Sequence, residues 1–233
     1  MKTMRRLTIS AGCLTALLML TAAPARAQTA PPQTAAVEGA SDAEGYGRVT
    51  VGEHFSCVVP PGWSRSGAAP FGLSNEEKKA YGITLNGPWR GEIPVKISVF
   101  YYAPGNLLYQ SVDHYLRVQS RPALGVALEG SSYGEVGPLA VSGRAGMVFE
   151  RSKNEYVPMQ NTIGPLDKPN GREGIVYERR EMMARAVPVR ERFVVLPAQQ
   201  GFYALRYTAA AENFEEFLPL FDKVTASFEA RHL

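Results

Sequence analysis

Gly201-Phe202-Tyr203-Ala204-Leu205-Arg206-Tyr207-Thr208 runs on into Asn213-Phe214-Glu215-Glu216-Phe217-Leu218-Pro219-Leu220-Phe221-Asp222-Lys223-Val224-Thr225-Ala226-Ser227-Phe228, and two periodicities meet there. Phe202 and Ala204 alternate with Tyr203, Leu205 and Tyr207 at the two-residue period of a strand. Phe214, Phe217, Leu218, Phe221 and Val224 recur at i, i+3, i+4, i+7 and i+10, the period of one helix face. A strand followed by an aromatic-faced helix supplies both layers of a sheet-plus-helix core, and the chain reads as α+β. Pro219 qualifies the helix: its ring would clash with the carbonyl of Glu215, so the helix either kinks there or begins there with Pro219 at its first position.

Working outward, Val189 to Leu196 is a strand that turns through Pro197 to Gly201 and pairs with Phe202 to Tyr207. Ile83 to Asn86 and Pro94 to Tyr102 form an antiparallel pair joined through Gly87-Pro88-Trp89-Arg90-Gly91, with Val95, Ile97, Val99 and Tyr101 sharing one face. Arg48 to Val51 and Phe55 to Val59 flank a turn at Gly52-Glu53-His54, and Pro60 ends the second of them because proline cannot donate to a ladder. Ser111 caps a short helix, Val112 to Gln119, that carries Val112, Tyr115 and Leu116 on one side and is closed by Arg121-Pro122. Tyr133 to Leu139 and Arg144 to Arg151 are strands around a Ser142-Gly143 turn. Asn154 to Gly174 is the least regular stretch, and Tyr177 to Arg185 fits either a helix or one arm of a long hairpin.

The first 27 residues read as a secretory signal. Lys2, Arg5 and Arg6 make a positive start, Leu14 to Ala23 an apolar run too short to span a bilayer, and Ala25-Arg26-Ala27 a cleavage pattern. Cys13 lies inside the apolar run without the aliphatic residue three positions earlier that a lipid-anchor cysteine needs. Residues 28–47 are rich in Ala, Pro, Thr, Gln, Gly and Ser and bury too little to offset chain entropy, which predicts a flexible tether. Residues 48–233 then form one domain. The expected location is periplasmic or secreted, with no transmembrane segment after cleavage.

Charge and cysteine content exclude more than they assign. The chain carries 25 basic and 22 acidic residues, a net charge of +3. Four of the basic groups lie in the signal, so 21 against 22 remain, net −1, and charge gives no reason to expect nucleic acid as a partner. Cys57 is left alone in the mature chain, where it reads as a small buried hydrophobe in a strand.

A family pattern emerges from these segments. Phe55-x-Cys57-Val58-Val59-Pro60-x-Gly62-Trp63, the Gly143-Arg144-Ala145 turn, and Phe202-Tyr203-x-Leu205-x-Tyr207 followed by Phe217, Phe221, Val224 and Ser227-Phe228 together resemble the PsbP-like family. That family groups the photosystem II extrinsic protein PsbP with many exported bacterial relatives. The resemblance spans about Val49 to Phe228 and implies an α/β/α sandwich with a central antiparallel sheet. It carries over no site, since no position here matches a metal or docking residue of photosynthetic PsbP.

Chemistry-bearing constellations are sparse. Gly130-Ser131-Ser132-Tyr133-Gly134 matches the nucleophile-elbow pattern in letters, but a strand-like run follows the serine where a helix is required. Asp113 and His114 are adjacent on a helix and point about 100° apart. His54, His114 and His232 show no i, i+4 pair, there is no Cys-x-x-Cys, and Met147, Met159, Met182 and Met183 are irregularly spaced, so neither a closed zinc site nor a copper site is expected. No cofactor is implied. The candidate partner-binding residues are Arg172, Arg179, Arg180, Arg185, Arg190 and Arg192, which with the long loop beside them would form a docking surface for an anionic partner. The resulting expectation is a non-catalytic, exported accessory module that supports an envelope protein assembly. The alternative is a periplasmic small-ligand or metal-binding protein.

Overall fold

The computed structural model describes residues 37–38, 45–66, 72–123, 125–158 and 184–231. The expected signal, 1–27, lies outside them, as do 159–183 with Arg172, Arg179 and Arg180. In chain order the elements are β1 (Val37–Glu38), β2 (Gly47–Val51), β3 (Phe55–Val59), β4 (Ser64–Arg65), α1 (Asn75–Lys78), β5 (Ala80–Arg90), β6 (Ile93–Tyr102) and α2 (Val112–Gln119). They continue with β7 (Ser132–Tyr133), β8 (Gly137–Val141), β9 (Arg144–Pro158), β10 (Ala184–Pro197), β11 (Phe202–Ala210), α3 (Phe214–Ala226) and β12 (Glu229–Ala230). Val37, Glu38 and Gly47 lie in the stretch whose composition predicts a tether, and the backbone of Val37 and Glu38 pairs with β2. Among the described residues no helix is long and apolar enough to cross a membrane.

The fold is α+β and built on antiparallel pairing. A large sheet runs in the order β4-β5-β6-β11-β10-β9-β7, with β8 also on β9, and a small sheet runs β1-β2-β3-β12. The strand that opens at Phe202 lies at the centre of the large sheet, paired with β6 on one side and β10 on the other. Both its faces are consequently buried. Gly201 makes the preceding turn possible: it has φ +74°, and a Cβ there would stand 2.1 Å from the carbonyl oxygen of Tyr102.

Alternation along the strands divides the side chains between two layers. Val95, Ile97 and Val99 of β6 with Tyr203, Leu205 and Tyr207 of β11 face α3, whose Phe214, Phe217, Phe221 and Val224 share that core with Val49, Phe55 and Cys57 of the small sheet. On the opposite face, Tyr102, Phe149, Phe193 and Phe202 pack against Tyr115 of α2. Helices therefore cover both faces, and the small sheet extends the α3 layer. The Tyr207 hydroxyl donates to the Phe214 carbonyl at 2.7 Å and the Tyr203 hydroxyl to the His54 carbonyl at 3.0 Å, so the central strand also anchors the start of α3 and the β2–β3 turn.

Three expectations change. Pro219 lies inside α3, so the helix does not begin there. A proline in a helix interior costs about 3 kcal/mol, whereas each buried Phe on the face that continues past it contributes roughly 1.5 to 3 kcal/mol, and the face has buried residues on both sides of the proline. Gly87 to Arg90 are not a connection but the end of β5, which pairs with β6 through a register shift. Asn154 to Pro158 are not irregular either: they continue β9 and pair with Ala184 to Pro188, so Arg185 sits on a hairpin arm, while 177–183 fall outside the described residues.

Candidate functional site

The two long hairpins build the most developed surface feature. β11 stops at Ala210, opposite Val189, so β10 before that point and its partner stretch of β9 project past the central strand. The Arg185 guanidinium meets the Glu92 carboxylate at 2.6 Å and ties this projection to the β5–β6 turn. Between the two hairpins lies a groove of about 630 Å³, with Ser64, Ser66, Asn86, Trp89, Pro94 and Lys96 on one side and Glu155, Tyr156, Val157 and Pro158 on the other.

The register shift in β5 decides what faces this groove. Asn86 stands opposite Lys96 and Trp89 opposite Pro94, so β5 holds one residue more than β6 across that interval. Such a bulge re-aims the side chains beyond it. Ile83 and Leu85 point into the α3 core, and by simple alternation Trp89 would follow them; the extra residue turns Trp89 onto the groove face instead. Arg90 is turned the other way, with its guanidinium 5.9 Å from the Phe217 ring and 3.5 Å from Glu216 of α3. Gly87 fits at the bulge because the Trp63 ring lies over it, 2.6 Å from where a Cβ would stand.

Exposure marks the groove as unusual. Trp89, on the groove face, is 70% exposed, whereas Tyr156, 68% exposed, lies by register on the opposite face of β9, that of Arg190 and Arg192 on β10. Asn86 Nδ2 donates to Ser66 Oγ at 2.8 Å, and the hydroxyls of Thr84 and Ser98 meet at 3.0 Å one step further along the same sheet face. The floor is thus polar, with the Trp89 indole at its edge.

Deeper on this face, in register with Lys96 through Thr208, sits Glu191. Its side chain is fully buried, and it accepts from Arg151, from the Thr208 hydroxyl at 3.4 Å, and lies 3.5 Å from Lys153 and 3.3 Å from Arg206. Burial pushes its carboxyl upward, but Arg206, Arg151 and Lys153 outweigh burial and hold it below the ordinary carboxylate range. Arg151 also donates to the Gln119 carbonyl at the end of α2 and lies over the Phe193 ring at 5.0 Å, so this cluster braces α2 on the sheet.

The arginines singled out from sequence have carboxylate partners wherever they are described. Besides the Arg185 pair, Arg190 meets Glu150 at 2.9 Å and Glu215 at 2.7 Å, with its guanidinium 4.1 Å from the Phe214 ring, and Arg192 meets Glu150 at 3.4 Å. Arg190 and Arg192 face α3, away from the groove. Arg192 and Thr225 also line a cavity of about 270 Å³, where the Arg192 Nε and Thr225 Oγ1 atoms are buried without a hydrogen-bond partner.

The other sequence motifs have local roles. Ser132 opens a two-residue strand on β9, not a strand-to-helix elbow. His114 Nδ1 accepts from the Gln110 amide at 3.2 Å, and the His54 ring stacks on Tyr81 and Tyr101 at 4.1 and 5.1 Å. Cys57 is buried, and burial pushes its thiol up to about 12, against a smaller opposing effect of Arg48. Among the described residues no group of three or more His, Cys, Asp and Glu side chains is placed to hold a metal ion.

No protein-family model matches the chain and no curated protein is similar to it in sequence. Among solved structures it is similar to the solution structure of cyanobacterial PsbP (CyanoP) from Synechocystis sp. PCC 6803, with 13% identity, coverage of 78% of this chain and 91% of that one, and a TM-score of 0.39.

Proposed function

We propose that this chain is a non-catalytic, exported accessory module that supports an envelope protein assembly, and that it works by binding through the groove between the β5–β6 and β9–β10 hairpins. The observation that carries the reading is the Trp89 indole, 70% exposed and turned by the β5 bulge onto a groove of about 630 Å³. Aromatics are enriched where surfaces are buried on association, because they bring large contact area at low entropic cost. The groove volume lies in the range of about 300 to 1,000 Å³ usual for binding sites. The described arginines, each set against a carboxylate, are bracing elements of this module and would contribute through Arg185, which holds the groove wall.

Co-purification from envelope extracts tests the proposal. The native chain is expected to retain an envelope component that a W89A variant loses, while an R190A/R192A variant keeps it. Equal retention by native chain and W89A would remove the groove from the function.

A second reading is a small-ligand-binding protein. The cavity of about 270 Å³ beside α3 supports it, because Arg192 and Thr225 line it and each carries a buried polar atom without a partner.

A further inference from the structure

We propose that the inner end of the groove, towards α2, is an anion site that takes the phosphate group of a soluble phosphate ester, held by Lys96 and Arg206, with the organic part of the ester running outward to Trp89. This rests on the reading of the groove as the binding surface and names the chemistry of what enters it.

Strand register sorts the charges along this face. Lys96 of β6, Thr208 of β11, Glu191 of β10 and Arg151 of β9 form one row across the sheet, with Arg206 two residues inward along β11 and Lys153 two residues outward along β9. Arg151, Lys153 and Arg206 all turn to the one carboxylate of Glu191, and Lys96 adds a fourth cation to the row. Further out, Glu155 follows Lys153 on the same face of β9, and Glu92 at the β5–β6 turn is held by Arg185 at 2.6 Å. The inner end of the face therefore carries a surplus of positive charge that the outer end lacks.

That surplus reaches solvent and keeps donors to give. Glu191 is completely buried, but the side chains of Lys153 and Arg206 above it are 34% and 39% exposed. Arg206 uses Nε on the Thr208 hydroxyl at 3.3 Å and Nη2 on Glu191 at 3.3 Å, which leaves Nη1. Lys153 meets only Glu191, at 3.5 Å. Among the described residues Lys96, which lines the groove, has no ion-pair partner.

The donor set selects phosphate. Guanidinium and ammonium groups bind phosphate through charge-assisted hydrogen bonds, and a phosphate monoester brings roughly 1.5 to 2 negative charges at pH 7 with three acceptor oxygens. A carboxylate brings one charge and two oxygens, a poorer match to cations converging from β6, β9 and β11. Outward from Lys96 the next residue on this face is Pro94, with Trp89 opposite it, so a substituent leaving the phosphate in that direction meets the exposed indole. A bilayer carrying the same phosphate fits less well, because the carboxylates of Glu92 and Glu155 line the outer part of the groove and repel an anionic surface.

Calorimetric titration of the full chain after its signal, with phenyl phosphate and inorganic phosphate as probes, tests the assignment. Both are expected to saturate at low ionic strength, phenyl phosphate the more tightly, and both to weaken as salt is raised. K96Q and R206Q are each expected to weaken both probes by about tenfold or more, whereas W89A is expected to weaken phenyl phosphate alone. Because Lys96 has no partner to lose, K96Q is expected to keep the native thermal midpoint, and it decides the matter if R206Q, which opens the Glu191 cluster, does not fold. No saturation by either probe, saturation that K96Q leaves intact, or an affinity indifferent to salt would overturn the site. Sedimentation with phosphatidylglycerol vesicles, without binding of either probe, would overturn the soluble ester and assign the cations to a lipid surface. If neither probe binds while W89A still loses its envelope component, the phosphate site is overturned and the groove stands as the binding surface. If the probes bind as expected while W89A retains that component, the phosphate site stands and the part of the groove in the assembly falls.

Discussion

Trp89 stands opposite Pro94 across the β5–β6 ladder, and this places its indole on the same sheet face as Lys96 instead of with Ile83 and Leu85 in the core. The neighbouring residue, Arg90, is delivered to the other face, where it meets Glu216 and the Phe217 ring. One inserted residue thus exchanges the faces on which these two adjacent side chains emerge.

Glu191 gives the fold a pH dependence with a definite sign. Its carboxyl is held below the ordinary range by Arg206, Arg151 and Lys153 against the effect of burial. A carboxylate whose folded value is depressed contributes stability that is fully present above its unfolded value of about 4.3 and is lost as pH falls through the folded one. Urea unfolding followed through the acid range is expected to show that loss in the native chain and a flatter profile in E191Q. Because the substitution removes the carboxylate that Arg151, Lys153 and Arg206 share, E191Q is also expected to lose about 1 to 3 kcal/mol near neutral pH. A profile as steep in the variant as in the native chain would place the acid sensitivity elsewhere.

Cys57 reports on opening of the core between the small sheet and α3. Its thiol is buried and pushed up to about 12, so neither access nor the thiolate form is provided in the folded state. Labelling with a disulfide-exchange reagent is expected to be absent in native buffer and complete in denaturant, with a native-state rate that follows global unfolding. Fast labelling under native conditions would contradict the packing of β3 against α3.

Where local chemistry and core periodicity agree, the sequence was legible. The aromatic face of α3, the alternation of β6 and β11, the Ser111 cap, whose hydroxyl accepts from the His114 amide at 3.1 Å, and the burial of Cys57 all follow from residues that have one good solution. The candidate site was legible only in fragments. Glycine and proline at 87 and 88 signal a turn as readily as a bulge, and the difference lies in a pairing partner distant from them in the chain. Glu191 reads as one acid among several arginines, because the cations that surround it come from β9 and β11 and meet it only through strand register. Tyr156 lay in a stretch rich enough in breakers to read as loop, although its backbone pairs with Ala186. Among the arginines the sequence could show the charge but not the carboxylates that Glu92, Glu150 and Glu215 bring to them.

The groove as working face is tested most directly by placing a photo-reactive side chain at position 89 or at position 90 of the full chain in the cells that produce it. The two residues are adjacent, both replacements are at exposed positions, and the Arg90–Glu216 pair lost in the second is a surface pair worth about 0 to 1 kcal/mol. Irradiation is expected to give adducts with a partner from position 89 and none from position 90, and on the proposed function that partner is an envelope component. Adducts from position 90 alone, or equally from both, would contradict the assignment of binding to the groove.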